Sequence, residues 1–120
     1  MNTMTTEPVL FDDCEYSDSQ ELLYEGEPYT GVVVEYAPNG TLITEEHYRS
    51  GIRDGRSRGW YHSGVLREEA DYAFGLRRFL REWHRNGQPR RELRYDERGR
   101  TVSDQAWDAN GQPVDPASLA

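Results

Sequence analysis

A chain of 120 residues with a formal net charge of −8 has the length of one domain, and its 35% apolar residues are too few for a large core. Cys14 is the only cysteine, which excludes an internal disulfide. No apolar run approaches the roughly 20 residues that a spanning helix needs, so we expect no membrane insertion. The first residues lack the basic start and apolar core of a signal peptide, and we therefore expect a cytoplasmic protein.

The first 30 residues differ from the rest of the chain. Residues 1–8 are small and polar and predict a disordered start. Residues 9–30 alternate short apolar runs with an acidic stretch. We interpret them as an N-terminal cap, because the open edge of a sheet must be covered to avoid pairing with other chains.

From residue 31 onward one phrase recurs. An aromatic residue lies four positions before each turn glycine, and Leu or Pro lies two after it; in three complete copies Glu follows at five and Tyr at eight. The turn glycines are 24, 23 and 24 residues apart: Gly40, Gly64, Gly87 and Gly111. A fixed period of this size predicts a repeat array. We place hairpin repeats over residues 31–110, at about 31–54, 55–77, 78–100 and, in part, 101–114, followed by a tail at 115–120.

Each copy has the pattern of two strands joined by Asn-Gly or Ser-Gly, for which we expect a type I′ turn with positive φ at both central residues. Loops of roughly four to seven residues are expected at the connecting glycines Gly51, Gly75 and Gly99. The predicted fold class is all-β: an elongated single-layer antiparallel meander of stacked β-hairpins.

Alternation along the strands predicts one face of Tyr, Trp and Leu and one charged face. Trp60 and Trp83 recur at the aromatic position of the phrase, so we expect them to be largely buried against neighbouring repeats.

The sequence shows no catalytic constellation. His47, His62 and His84 lack the spacing of metal ligands, and we expect solvated surface side chains. Acidic neighbours should raise the pKa of Cys14 and make it a poor nucleophile. We therefore expect no enzyme activity and no catalytic, cofactor-binding or metal site.

The charge is distributed unevenly. Residues 1–48 hold 11 acidic residues and no basic one, whereas residues 49–95 hold 12 arginines against 6 acidic residues. An acidic surface attracts a basic protein and speeds association by steering. The predicted partner-binding residues are Glu25, Glu27, Glu35, Glu45 and Glu46, with Asp12, Asp13, Glu15 and Asp18 behind them.

The arginine-rich middle allows a different interpretation. Arginines interleaved with aromatic residues are typical of sheets that bind nucleic acid. The acidity of the whole chain counts against that function, and we expect no nucleic-acid partner. An anionic lipid surface stays open as a target of the same arginines.

The phrase aromatic-x-x-x-Gly-x-Leu-x-x-Glu-x-x-Tyr, together with the leader at residues 24–31, resembles the MORN repeat variant of bacterial proteins. Over residues 24 to about 114 the chain is similar to the YwqK-type antitoxin family. The resemblance implies MORN-like hairpins and an antitoxin or immunity protein that occludes the active site of a co-encoded toxin, with a basic toxin domain as partner. The alternative is a MORN-type scaffold that binds other proteins or anionic lipid. In the third copy Pro89 replaces Leu, which predicts locally broken pairing.

Overall fold

The structure is a computed structural model that describes residues 7–119, and over this range it contains strands and 3-10 turns but no α-helix. Most of the predicted disordered start, residues 1–6, and the last residue of the predicted tail lie outside the described residues. The 3-10 turns are Phe11–Asp13 and Pro116–Leu119. The strands are β1 Val9–Leu10, β2 Cys14–Tyr16, β3 Leu22–Tyr24, β4 Glu27–Pro28, β5 Gly31–Tyr36, β6 Leu42–Arg49, β7 Ile52–Arg53, β8 Gly55–Trp60, β9 Leu66–Ala73, β10 Leu76–Trp83, β11 Pro89–Tyr95, β12 Thr101–Trp107 and β13 Pro113–Val114.

The main sheet is an open meander. Its order is β1-β5-β6-β8-β9-β10-β11-β12-β13, with β7 paired to β6, and neighbours are antiparallel except for β1, which runs parallel to β5. The radius of gyration is 16.2 Å, against about 14 Å for a compact domain of this length. The predicted all-β, elongated meander of hairpins is confirmed. A second sheet of three short strands, β2-β3-β4, packs on the first hairpin.

The Asn-Gly turns have a different geometry from the one expected. Ala37 N–H donates to the Thr41 carbonyl at 2.8 Å, and Gly40 N–H donates to the Ala37 carbonyl at 2.8 Å. Gly40 has a φ of +88°, whereas Asn39 is not among the residues with positive φ. The turn is therefore a type I turn followed by a left-handed glycine, and Asn39 contributes by accepting the Thr41 N–H on its side-chain oxygen at 3.0 Å.

The type I′ turns lie at the other end of the sheet, where we expected longer loops. Two-residue connections at Glu25–Gly26, Ser50–Gly51 and Phe74–Gly75 have positive φ at both positions. The expectation of roughly four to seven residues is wrong at Gly51 and Gly75, because a mirror-image turn matches the twist of the strands and closes each hairpin in two residues. At Gly99 it is confirmed, since residues 96–100 join β11 to β12.

Two small hydrophobic clusters stabilise the sheet. The first is formed by Leu22, which is fully buried, with Tyr29, Val33 and Tyr48, and it joins the three-stranded sheet to β5 and β6. Main-chain bonds lock that junction, since Leu22 N–H donates to the Gly51 carbonyl at 2.9 Å and Gly51 N–H to the Tyr29 carbonyl at 2.8 Å. The second cluster is Ala70, Leu80 and Leu93, with Tyr72 and Tyr95 packed against it.

Trp60 and Trp83 are partly buried: neither belongs to the fully buried core, and neither is among the exposed large apolar side chains. Both lie next to a register shift at the turn end of a hairpin, between Gly59 and Trp60 and between Glu82 and Trp83. The same shift occurs between Glu35 and Tyr36. It is thus a property of the repeat and is not caused by Pro89, which pairs with Trp83.

Polar side chains connect successive repeats at the Asn-Gly end. The Tyr61 hydroxyl donates to the Trp83 carbonyl at 2.7 Å, and His84, one period later, lies 2.8 Å from the Trp107 carbonyl through Nε2. Toward the opposite end of the sheet, near the Ser50–Gly51 turn, His47 Nδ1 lies 2.6 Å from the Arg56 carbonyl. A carbonyl only accepts, so His84 donates through Nε2 and His47 donates through Nδ1. These two histidines are structural rather than solvated, whereas His62 is exposed as expected.

The Gly51 junction generates a testable prediction. A Cβ on Gly51 would lie 2.9 Å from Glu21 Cβ and 3.0 Å from the Leu22 carbonyl oxygen, whereas a Cβ on Gly64 meets nothing within 4 Å. Both residues have a φ near +90°. We expect Gly64→Ala to cost about 1–2 kcal/mol for the left-handed backbone alone, and Gly51→Ala to cost clearly more in urea unfolding. Equal losses would show that the small sheet does not press on this turn.

Candidate protein-binding surface

Cross-strand ion pairs hold the arginines of the middle hairpins. The register places Arg58 opposite Glu69 and Arg56 opposite Asp71. Arg58 Nε donates to Glu69 Oε2 at 2.8 Å, and Arg56 Nε donates to Asp71 Oδ1 at 3.0 Å. The hydrogen bond and the charge of Asp71 raise the pKa of the Arg56 guanidinium. These arginines are therefore already neutralised by the neighbouring strand.

The same arrangement continues along the sheet. Arg91 Nη2 donates to Asp104 Oδ2 at 2.8 Å, and Arg81 lies 3.2 Å from Glu92. Of the 12 arginines in residues 49–95, nine make an ion pair with a carboxylate: Arg49, Arg53, Arg56, Arg58, Arg67, Arg81, Arg90, Arg91 and Arg94. Most arginines of this region are therefore paired with carboxylates within the fold.

Guanidinium groups also stack on aromatic rings. Arg81 and Arg94 lie 5.1 and 5.0 Å from the centroid of the Phe79 ring, and Arg77 lies 5.1 Å from that of Tyr95. Such stacks are attractive because the ring face is electronegative. The interleaving of Arg and aromatic residues, which resembled a nucleic-acid surface, is thus explained by contacts inside the sheet.

The predicted partner-binding residues lie on several elements. Asp12 and Asp13 form part of the 3-10 turn after β1, Glu15 is on β2, Glu27 on β4, Glu35 on β5, and Glu45 and Glu46 on β6, while Asp18 and Glu25 occupy turns. Asp12, Asp13, Glu15, Asp18, Glu25 and Glu27 are exposed; Glu35, Glu45 and Glu46 are half-buried. They form a broad acidic surface rather than one compact site.

Glu46 is engaged within the fold. Its carboxylate accepts Arg53 Nη2 at 2.9 Å and the Tyr48 hydroxyl at 2.9 Å. Glu45 lies opposite Arg58 in the register, but that arginine bonds to Glu69. Of the ten acidic residues from Asp12 to Glu46, Glu46 is the one with an ion pair inside the described part of the chain. The remaining nine acidic side chains leave their charge directed to solvent or to a partner.

One cleft brings two of the predicted acids together with apolar side chains. Asp12 and Glu35 line an open cleft of about 240 Å³ with Leu10, Phe11 and Tyr36. These three apolar side chains are at least a third exposed. The sequence analysis did not single out these residues as surface; their position directly beside acidic residues was the available signal.

The described residues offer no metal site and no membrane span. No three His, Cys, Asp or Glu side chains between residues 7 and 119 could hold a metal ion together. None of the secondary structure over that range is a helix with the length and apolar character needed to cross a bilayer.

Cys14 tests the electrostatics of the acidic surface. Burial, followed by the charge of Asp13, raises the pKa of its thiol above the ordinary value. A raised pKa lowers the thiolate fraction at neutral pH, so iodoacetamide should react more slowly than with a free cysteine and accelerate as pH rises through the shifted pKa. Asp13→Asn should increase the rate at neutral pH. Alkylation as fast as that of glutathione at pH 7 would contradict the assignment.

Comparison with known proteins identifies the repeat. The MORN repeat variant matches residues 29–50 and 53–73, which contain the first two complete hairpins. No curated protein matches the chain. In a crystal structure of the GtfA/B complex bound to UDP and GlcNAc, one chain is similar over 88% of this chain and 24% of its own, with 13% identity and a TM-score of 0.40.

A crystal structure of accessory secretory protein 1,2 and 3 in Streptococcus pneumoniae is similar over 97% of this chain and 23% of that one, with 14% identity and a TM-score of 0.44. The chain therefore spans about a quarter of the length of the solved proteins that it matches. Two of its hairpins are MORN repeat variants, and repeats of this type indicate a scaffold that binds proteins or lipids.

Proposed function

We propose that the chain is a non-enzymatic protein-binding module that receives a basic partner on its acidic N-terminal third. The observation that carries the proposal is that the acidic residues and the arginines differ in how many make ion pairs. Nine of the ten acidic residues from Asp12 to Glu46 have no ion pair within the described residues, whereas most arginines of residues 49–95 have one. Free charge, rather than total charge, decides which surface attracts a partner.

The physical consequence is directional. Unpaired carboxylates on one end of a thin sheet produce a negative potential that extends about 8 Å into physiological salt. Paired arginines contribute less at that distance, because each lies within 4.0 Å of a carboxylate. A basic protein is therefore steered to the N-terminal end, and its association rate falls as salt rises.

The similarity of the leader and repeats to the YwqK-type family supports a specific biological form. We propose that the partner is a co-encoded toxin and that the chain, acting in the cytoplasm as an antitoxin or immunity protein, occludes its active site. Toxins that act on nucleic acid need basic clefts to hold their substrate. An acidic surface complements such a cleft without any chemistry of its own.

The second candidate is a scaffold that binds anionic lipid through its arginines, which the repeat type favours. Three arginines of residues 49–95, Arg77, Arg78 and Arg85, make no ion pair within the described residues, so a lipid contact larger than these three requires other arginines to leave their carboxylates. Arg58, for example, would have to give up the 2.8 Å bond to Glu69. The cost of separating such pairs makes lipid binding the weaker of the two candidates.

Charge reversal tests the proposal. We expect Glu25, Glu27 and Glu35, changed together to Lys, to fold normally and to bind the protein encoded by the adjacent gene about tenfold to a hundredfold less tightly at low salt, with a smaller loss at physiological salt. Titration calorimetry measures both.

The matched control is a single reversal at each end of the sheet. Glu27→Lys and Glu97→Lys change the net charge equally, and both side chains are exposed. We expect the first to weaken binding and the second to leave it nearly unchanged. Equal weakening of partner binding by the two single reversals would favour the scaffold. Binding to anionic vesicles that is lost only when arginines are reversed would also favour it.

A further inference from the structure

Phe74 is the most solvent-exposed of the large apolar side chains, with 88% of its surface in contact with water. Ile52 and Leu76, on the same end of the sheet, are 38% and 44% exposed. The position that a Cβ would take on Gly75 lies 2.9 Å from Ile52 Cγ2, so the turn of Phe74 sits directly on Ile52. Monomeric proteins seldom leave such groups together in water unless they serve binding.

The backbone of Phe74 is unfavourable for its side chain. It is the first central residue of a type I′ turn, with a φ of +51°. The two equivalent turns carry Glu25 and Ser50 at that position, with φ values of +54° and +49°. A bulky aromatic residue is an outlier in the left-handed region, and such outliers concentrate at binding and catalytic sites. Neither packing nor turn geometry accounts for phenylalanine here.

The turn is held rigidly. Phe74 N–H donates to Asp54 Oδ1 at 3.2 Å, and Gly75 N–H donates to the Arg53 carbonyl at 2.9 Å. Both bonds tie the turn to the preceding hairpin. The backbone that carries the ring is therefore fixed, so a partner has to order only the side-chain torsions of Phe74 on binding it.

The acidic part of the chain borders this turn. A cleft of about 220 Å³ is lined by Tyr16 and Gln20 from the N-terminal segment and by Ile52 and Gly75 from the hairpin turns. Tyr16 is 50% exposed, and the neighbouring acids Glu15 and Asp18 are exposed as well. The charged side chain in the cleft itself is Arg53, which pairs with Glu46, while the unpaired carboxylates Glu15 and Asp18 flank Tyr16 along the chain.

We infer that Phe74, Ile52, Leu76 and Tyr16, named here the Phe74 patch, are the apolar anchor of the partner interface. The partner that fits is a protein with an apolar pocket for the Phe74 ring and a basic rim facing Glu15 and Asp18. The positive charge that we assign to the partner's rim rests on the proposed function. A second copy of the chain does not fit, because two acidic rims would repel each other.

The first arm of the test measures stability. Phe74→Ser places at this turn the residue that Ser50 supplies at the equivalent one, and Phe74→Asn places a residue that tolerates positive φ. We expect the melting temperature of both variants to be unchanged or higher, since the ring makes no buried contact. A lower melting temperature in both would assign Phe74 to the fold and overturn the inference.

The second arm measures binding of two synthetic peptides with equal numbers of lysines, one alternating Lys with Ser and one alternating Lys with Leu. We expect the Lys-Leu peptide to bind about tenfold more tightly than the Lys-Ser peptide, and Phe74→Ser to abolish that difference. A Lys-Leu advantage that survives Phe74→Ser, or no advantage in the unaltered chain, overturns the inference.

The two proposals fail separately. Absence of Lys-Ser binding at low salt contradicts the acidic surface, whereas the Lys-Leu advantage and its loss in Phe74→Ser depend on the patch alone. Vesicles of neutral and anionic lipid form the remaining arm. Phe74-dependent binding to vesicles, with no Lys-Leu advantage, would assign the patch to a lipid surface and overturn the protein partner.

Discussion

The pairing of arginine with the carboxylate on the next strand is the interaction on which this structure depends. A sheet one layer thick exposes both faces, so most of the buried apolar side chains of the described residues lie in two small clusters and lateral contacts must supply the rest of the cohesion. Pairs such as Arg58 with Glu69 and Arg91 with Asp104 join neighbouring strands across the whole middle of the sheet. Each contributes modestly, about 0.2–1 kcal/mol, and they recur between β8 and β9, between β10 and β11, and between β11 and β12.

That same pairing determines which surface is available for recognition. Arginines occupied by carboxylates and aromatic rings leave the carboxylates between Asp12 and Glu45 as the largest group of charges without an ion pair among the described residues. The net charge of −8 understates the acidity of residues 1–48, which hold 11 acidic residues and no basic one. The strained, exposed Phe74 adds an apolar element at the border of the acidic surface. Together these features describe a binding module and require no catalytic group.

The recurring glycines were sufficient to predict the hairpins, their order and the elongated sheet. They were insufficient for the turn types, because Asn39–Gly40 and Ser50–Gly51 look alike in sequence while hydrogen bonding across the strands selects different geometries. The engagement of Glu46 by Arg53 depends on register, which no local pattern fixes. The exposure of Phe74 was not predicted, because an aromatic residue between two strands is ordinarily expected to lie in the core.

The most direct measurement of the central claim is the surface potential, mapped by NMR with small nitroxide probes of opposite charge. Paramagnetic broadening of backbone amides reports where each probe accumulates. The account predicts that the cationic probe concentrates over residues 12–46 and that the anionic probe shows no comparable excess over residues 56–94. An excess of the anionic probe over residues 56–94 as strong as that of the cationic probe over the first third would contradict it.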